Sequence, residues 1–380
     1  MPTPQIRIAL DGTAVEAALL GRLDRLEVRE SDSEPTLAAM RFKLSQDPTG
    51  RFALLDEELF APGQAVAIDL VAPGGLPQRL FDGYTSHLRP HFEPIESNCY
   101  LEILAMDAAL LLDAEERVVT YPDALDSDAV EEIVGRYDIP VEVEPTAARH
   151  KQDHQMLVQR GTDWQFLRRL ARRNGYACFF EHDEDQDQVV AHFAPPAFDA
   201  DPQADLTILQ GDANLAWIDL QWITAGAVRH RGAAIDPIAK RFVRSSGEGV
   251  LPALGEAGLE GRLEEGLADA GVEKASALLR DPLPLDAAIE AQGSAATDRD
   301  RLAIEARGEV DPALYRALLR ARRPALLKGV GERLSGVYYI RSVRTVVEEG
   351  ELKQTFLGER NALGQAGNEE FGQSAEEVPA

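Results

Sequence analysis

The chain has 380 residues, of which 44% are apolar and 27% charged, a globular composition too long for one ordinary core and so expected to divide into several domains. Its formal charge of −26 excludes the basic footprint of a duplex-DNA reader, and its apolar runs are too short to cross a bilayer. The opening MPTPQIRIALDG lacks a basic start followed by an apolar block, so no secretory signal is expected. The protein should fold in the cytoplasm and leave the cell, if at all, inside a larger assembly.

The first 110 residues read as β. Met40, Phe42 and Leu44 alternate with Arg41, Lys43 and Ser45, Val66, Ile68 and Leu70 with Ala65, Ala67 and Asp69, and a third run carries Leu101, Ile103 and Ala105. A period of two places one face of each strand on a core. Turn residues separate the runs at Asp47–Gly50, at Pro73-Gly74-Gly75, and at Pro90 and Pro94, so an antiparallel barrel or sandwich is expected. A short helix is expected over Ala53–Leu59.

Helical patterns follow. Asp128 and Glu131 have capping-box spacing ahead of the stripe Val130, Ile133, Val134 and Tyr137, and Pro140 stops that helix. The next helix is the sharpest local signal. Thr162-Asp163-Trp164-Gln165 is a capping box in which the Thr162 hydroxyl takes the Gln165 N–H and the Gln165 side chain reaches back. Phe166, Leu167, Leu170 and Ala171 form its apolar stripe, Arg172 and Arg173 suit its negative end, and Gly175 terminates it. A hairpin runs from Tyr176 to Phe193. Residues 205–245 read as β, with Trp217 and Trp222 in the run. Residues 246–298 read as a helical or loose insertion. Strands return from Leu302 and end in Val337–Val347 and Leu352–Arg360, before a polar, acidic tail expected to be disordered.

Two segments echo one another. Leu80-Phe81-Asp82-Gly83 and Leu334-Ser335-Gly336 each precede a strand, a turn and a second strand. Each unit closes 24 residues after its glycine, at Asp107 and at Arg360. Two similar β-domains follow from this, with Gly83 and Gly336 marking turns or close approaches.

No chemistry is marked out. Cys99 and Cys178, in segments read as strands, match no zinc or redox spacing and read as buried thiols. His150 and His154 are spaced as ligands on one helix face can be. The residues between them supply no HExxH base, and the segment reads as a solvated loop. Gly329-Val330-Gly331 lacks a GK[ST] sequence and leads into a strand, so it reads as a turn and not a phosphate cradle. GxSxG is absent and no carboxylate pair stands out. No catalytic, cofactor or metal residue is assigned. Arg168, Arg169, Arg172 and Arg173 form a basic patch that reads as a solvated helix face or, more sharply, as a contact with a neighbouring subunit.

Gln159-Arg160-Gly161-Thr162-Asp163-Trp164-Gln165-Phe166-Leu167, followed by Leu170-Ala171 and Asn174-Gly175-Tyr176, resembles the Q…(S/T)D-x-x-FL…LA…GY segment of the phage late control D family. That family includes tail hub proteins, the hub portion of type VI secretion spikes, and hubs of extracellular contractile injection systems. Leu80-Phe81-x-Gly83 and Ala105-Met106-Asp107 with Leu110-Leu111 resemble its first barrel and the turn out of it. Gly329-Val330-Gly331, Ser335-Gly336, Tyr338-Tyr339 and Gly358-Glu359-Arg360-Asn361-Ala362 resemble its closing barrel.

The resemblance implies an α+β, β-dominated hub with two tube-protein-like antiparallel barrels, an α/β domain and an inserted segment. The first barrel would span 1–110, the α/β domain 111–200, and the second barrel 201–245 and 299–362. Residues 246–298 would be the insertion, and 363–380 a disordered tail. It implies a homotrimer that joins a six-fold inner tube to a three-fold spike, amid baseplate wedge proteins. Nothing after residue 362 looks like a spike, so a separate spike or needle protein is expected. The particle would be a phage tail, a tailocin or an extracellular injection system. The alternatives are a carbohydrate- or cell-wall-binding tail module and a tail-associated wall hydrolase. Thr162, Trp164, Phe166, Leu167 and Leu170 are the expected anchors of the α/β domain.

Overall fold

The computed structural model describes residues 4–56, 59–72, 75–153, 155–209, 211–223, 229–259, 271, 276–280 and 282–365. The β-dominated α+β class holds. The first region contains β1 (Gln5–Leu10), β2 (Thr13–Ala14), α1 (Ala17–Leu20), β3 (Leu23–Ser31), β4 (Leu37–Lys43) and α2 (Ala53–Asp56). It continues with β5 (Ala65–Val71), β6 (Pro77–His91) and β7 (Tyr100–Met106). The strands that alternate in sequence alternate in burial. Met40, Phe42, Ile68, Leu70, Leu101 and Ile103 are all at most 1% exposed and share one core.

The α/β region holds α3 (Ala109–Leu112), β8 (Glu116–Tyr121), α4 (Asp126–Gly135), β9 (Val141–Val143) and β10 (Leu157–Thr162). Then come α5 (Asp163–Asn174) and the hairpin of β11 (Ala177–Asp183) and β12 (Gln188–Ala194). α4 begins three residues before the sequence places it. Asp128 sits in its first turn, where its carboxylate accepts the Leu125 N–H, and is not the cap itself. The expected stripe of Val130, Ile133 and Val134 is buried in a second core.

The last region contains β13 (Gln203–Thr207), β14 (Leu215–Trp222), β15 (Arg229–Asp236), β16 (Arg241–Gly247), β17 (Ala257–Gly258) and β18 (Ser276–Leu278). It ends with α6 (Asp286–Arg301), β19 (Ile304–Val310), α7 (Pro312–Tyr315), β20 (Arg323–Lys328), β21 (Gly336–Glu348), β22 (Glu351–Arg360) and β23 (Ala362–Leu363).

Strand pairing adds three findings. First, the two β-regions are not separate sheets. One 13-stranded sheet runs β14-β19-β22-β21-β3-β4-β7-β6-β5-β1-β2, with β20 and β13 branching from β21. It serves two cores, and the β21–β22 hairpin feeds both: Val347 and Leu352 enter the first, Ile340, Val343 and Phe356 the other. Second, β15 and β16 pair with each other and with β18 against α6, outside the large sheet in which residues up to 245 were expected. Third, order persists past Arg360. Ala362 and Leu363 are buried in β23, and Asn361 bonds the Leu254 N–H and the Pro252 carbonyl, because the chain must cover the end of the third core. The rest of the expected tail, 366–380, lies outside the described residues.

Gly83 stands within β6 and not in a turn. A side chain there would overlap the Met106 carbonyl and the Asp107 backbone. Gly336 opens β21 at φ +140°, and a side chain there would overlap the buried Arg360 guanidinium. Both glycines are close approaches.

Trp164 is 3% exposed and tilts against Phe180 with ring centroids 5.9 Å apart. Trp164→Ala should therefore cost about 3–5 kcal/mol in denaturant unfolding. Trp222→Ala, at a side chain 40% exposed, should cost less than about 1 kcal/mol.

Candidate functional site

The side chains assigned by sequence converge on α5. Thr162 sits in extended backbone before the helix, and its Oγ1 accepts the Gln165 N–H at 3.2 Å. The return half of the box does not form among the described residues. Instead the Thr162 hydroxyl donates to Asp113 at 2.5 Å, which ties α5 to the end of α3. Phe166, Leu167 and Leu170 are at most 1% exposed, and Phe166 stacks on Tyr121 at 5.8 Å. Gly175 takes φ +72° and ends the helix, with α6 packed so closely that Ala295 would lie 3.0 Å from a Cβ there.

Two residues of the same segment carry a role the sequence did not disclose. Gln159 and Asp163 are both fully buried. The Gln159 amide donates to Asp163 at 2.5 Å and accepts from the Tyr121 hydroxyl at 2.8 Å, while Tyr137 donates to Asp163 at 2.8 Å. Arg136 completes the set at 3.4 Å. This network binds α4, β8 and β10 to the start of α5, and every member is satisfied across elements.

The arginine patch is less free than its sequence suggests. Arg173 forks onto Asp126, and Arg168 bonds Glu34. Arg169 donates to the Val158 carbonyl at 3.1 Å and lies 4.9 Å over the Phe166 ring. Of the four, Arg173 is spent on internal structure, and only Arg172 has no bonded partner among the described residues. His150 is not on a solvated loop. It is 1% exposed, with Nε2 2.9 Å from Asp126 Oδ1 and 3.1 Å from Arg173. It is a structural member of the Asp126 cluster, and His154 lies outside the described residues. Among the described residues no three His, Cys, Asp or Glu side chains converge as metal ligands do. Cys178 is buried in β11, and burial pushes its thiol up to about 12.

A second cluster joins all three regions. Arg320, ahead of β20, donates to Glu30 of β3 at 2.9 Å and to the Arg79 carbonyl of β6 at 2.9 Å, and lies 3.7 Å from Glu181 of β11. Arg322 donates to the Ser31 carbonyl at 2.9 Å and to Thr36 at 2.8 Å, with its plane 4.3 Å over Phe179. Arg79 pairs with Asp69 and Asp82, each at 2.5 Å, and Asp82 also meets His182 at 3.1 Å. Burial works against the Arg320 charge, but Glu30 and Glu181 outweigh it and hold its pKa above the ordinary value. Burial likewise favours neutral Glu181, but Arg320, Arg323 and Arg322 bring it below the usual carboxylate range. Beside Glu30 lies a cavity of about 20 Å³, room for one water at Glu30 Oε2, which has no partner among the described side chains. Asp107 accepts the Thr36 and Ala109 N–H groups at 2.6 and 3.0 Å, and burial raises it to about 6. These groups clamp the three regions together.

Breaking the clamp from one side should be costly. Arg320→Ala strands buried Glu30 and should lose about 3–5 kcal/mol in denaturant unfolding, whereas Glu30→Gln with Arg320→Met should recover most of it. On the β3–β21 seam, Glu27 meets Arg344, Arg25 and Arg29, and chiefly the Arg344 bonds hold it at about 2 against an ordinary 4.5. Its folded pKa is depressed, so its contribution is complete above pH 4.5 and lost as pH falls toward 2. Glu27→Gln should lower stability at neutral pH and flatten the loss over that acid window, as read by urea midpoints against pH.

The similarities of the whole chain agree with a tail-protein architecture. A tail protein from Neisseria meningitidis MC58 superposes with a TM-score of 0.61 at 10% identity, covering 96% of this chain and 98% of that one. A 43 kDa tail protein of prophage MuSo2 from Shewanella oneidensis gives 0.60 at 12% identity, over 95% and 100%. A type VI secretion component from E. coli, described as similar to T4 bacteriophage tail proteins gp27 and gp5, gives 0.54 at 13% identity, over 93% and 76%. At these identities the likeness is one of fold, and the fold is that of phage-tail and type VI spike-related proteins. No curated protein matches by sequence. The sequence model that matches is not that of late control D but that of the Alg8 N-terminal domain, over residues 3–215, which take in the first β-region, the α/β region and the strand β13. The chain belongs to the Alg8 N-terminal domain family.

Proposed function

We propose that this protein is the hub of a contractile injection machine, akin to the late control D hubs, and that it adapts symmetry and does no chemistry. It assembles as a homotrimer, seats a separate spike protein on one side, continues the six-fold inner tube on the other, and is held by baseplate wedge proteins. The observation that supports this most is the division of one continuous sheet into two cores served by a shared hairpin. Two curled halves per chain make six in a trimer, which matches a six-fold tube through a three-fold body. A clamp of buried ion pairs suits a part that must transmit load without changing shape. Arg168, Arg169 and Arg172, the exposed members of the arginine patch, can meet a neighbouring subunit or wedge protein.

The test is the native mass of the purified protein, alone and with its candidate spike. A trimer of the 41.5 kDa chain has a mass of 124.5 kDa. A species of that mass, alone or once spike is added, supports the reading. A dimer or tetramer that spike leaves unchanged overturns it in favour of a wall-binding module. Clearing of peptidoglycan in a zymogram would overturn the non-enzymatic part.

A further inference from the structure

A groove of about 610 Å³ runs between α5 and α6, and five arginines line it: Arg168, Arg169, Arg172, Arg299 and Arg341. Its carboxylates are already committed. Glu34 pairs with Arg168, while Asp32 and Glu359 pair with Arg341 at 3.2 and 2.7 Å. Asp298 accepts the Val250 and Leu251 N–H groups at 3.0 and 3.2 Å. Arg172 and Arg299, both exposed, line the groove with no ion pair or hydrogen bond among the described residues. Burial and then the Arg172 and Arg341 charges depress the Arg299 pKa, against an opposing pull from Asp300. The rest of the groove is apolar, with Phe198 and Tyr339 at its floor and the half-buried Leu251 and Leu302 beside them. Paired guanidinium groups next to an apolar floor recognise carboxylates followed by a large apolar side chain.

We propose that this groove binds clustered carboxylates, and that its occupant is the chain's own acidic C-terminal segment, residues 366–380. That segment carries Glu369-Glu370-Phe371 and Glu376-Glu377, the two chemistries the groove offers. It also starts close by. Gly364 accepts from Arg360, Arg360 donates to the Leu254 carbonyl, and Leu251, three residues earlier, lines the groove. From Gly364 to Glu369 the chain can extend at most about 17 Å. Docking in cis neutralises arginines of the groove.

The test uses full-length protein carrying a fluorophore on Gln373→Cys, with the buried Cys99 and Cys178 left unreacted. Polarisation anisotropy reads whether the segment is held. Held in wild type, it should be released by high salt, by R172E/R299E, and by E369R/E370R. Combining the two charge reversals should restore it. The second variant alters only residues outside the described fold, so it still decides if the first fails to fold. Anisotropy equal in all variants overturns the proposal, as does a combined variant that stays released. Protection that appears only as protein concentration rises overturns docking in cis in favour of a second copy's segment.

Discussion

The architecture turns on one change of partner along a single strand. β21 pairs along one edge with β20 as far as Ile340, shifts register at Arg341, and from Ser342 pairs with β3. The irregularity falls in the β21–β22 pairing, where an extra residue takes up local twist as the other edge of β21 changes partner. Arg341 sits at that point. Its carbonyl accepts the Asp32 N–H at 3.1 Å, and its side chain bonds Asp32 and Glu359. This junction and the Arg320–Glu30 clamp together hold the two cores in one body.

The seam on either side of the bulge is written in charges. Glu27 and Glu30 are buried on β3, met by Arg344 and Arg320. Desolvating such pairs costs several kcal/mol, so hydrophobic residues would give a seam at least as stable. What the ions add is geometry. A guanidinium accepts one arrangement of acceptors, while apolar side chains would let one half slide on the other. This reading makes the clamp a device for fixing the angle between regions, and it fits a part that must hold register under load.

Much of this was legible in the sequence because it is local. The alternation of Val66, Ile68 and Leu70, the N-cap at Thr162 and the terminator at Gly175 depend on spacings of two to four residues and formed where expected, though the return half of the box did not. What was not legible is what depends on residues far apart. Nothing near Leu23–Ser31 marks its pairing with a strand more than three hundred residues on. Nothing near Arg229–Gly247 says that its two strands leave the large sheet to cover α6, since their alternation is the same either way. His150 looked solvated because its partners Asp126 and Arg173 are both more than twenty residues distant.

The basic residues show the same limit most sharply. Of the 39 basic side chains, 33 are Arg and 6 are Lys. In a chain of charge −26 this bias reads as background, yet it is the trace of the seams. Arg320, Arg322 and Arg360 each donate to main-chain carbonyls as well as to side chains or across rings, which a lysine ammonium with its shorter reach and tighter hydration does poorly. Interior arginines need acceptors supplied by other segments, so the surplus of Arg over Lys measures how much of the structure is junction and how little is independent domain. The arginines left over once those acceptors are assigned are therefore informative. Arg172 and Arg299, exposed on the groove between α5 and α6, are two arginines to which no such acceptor is assigned among the described residues.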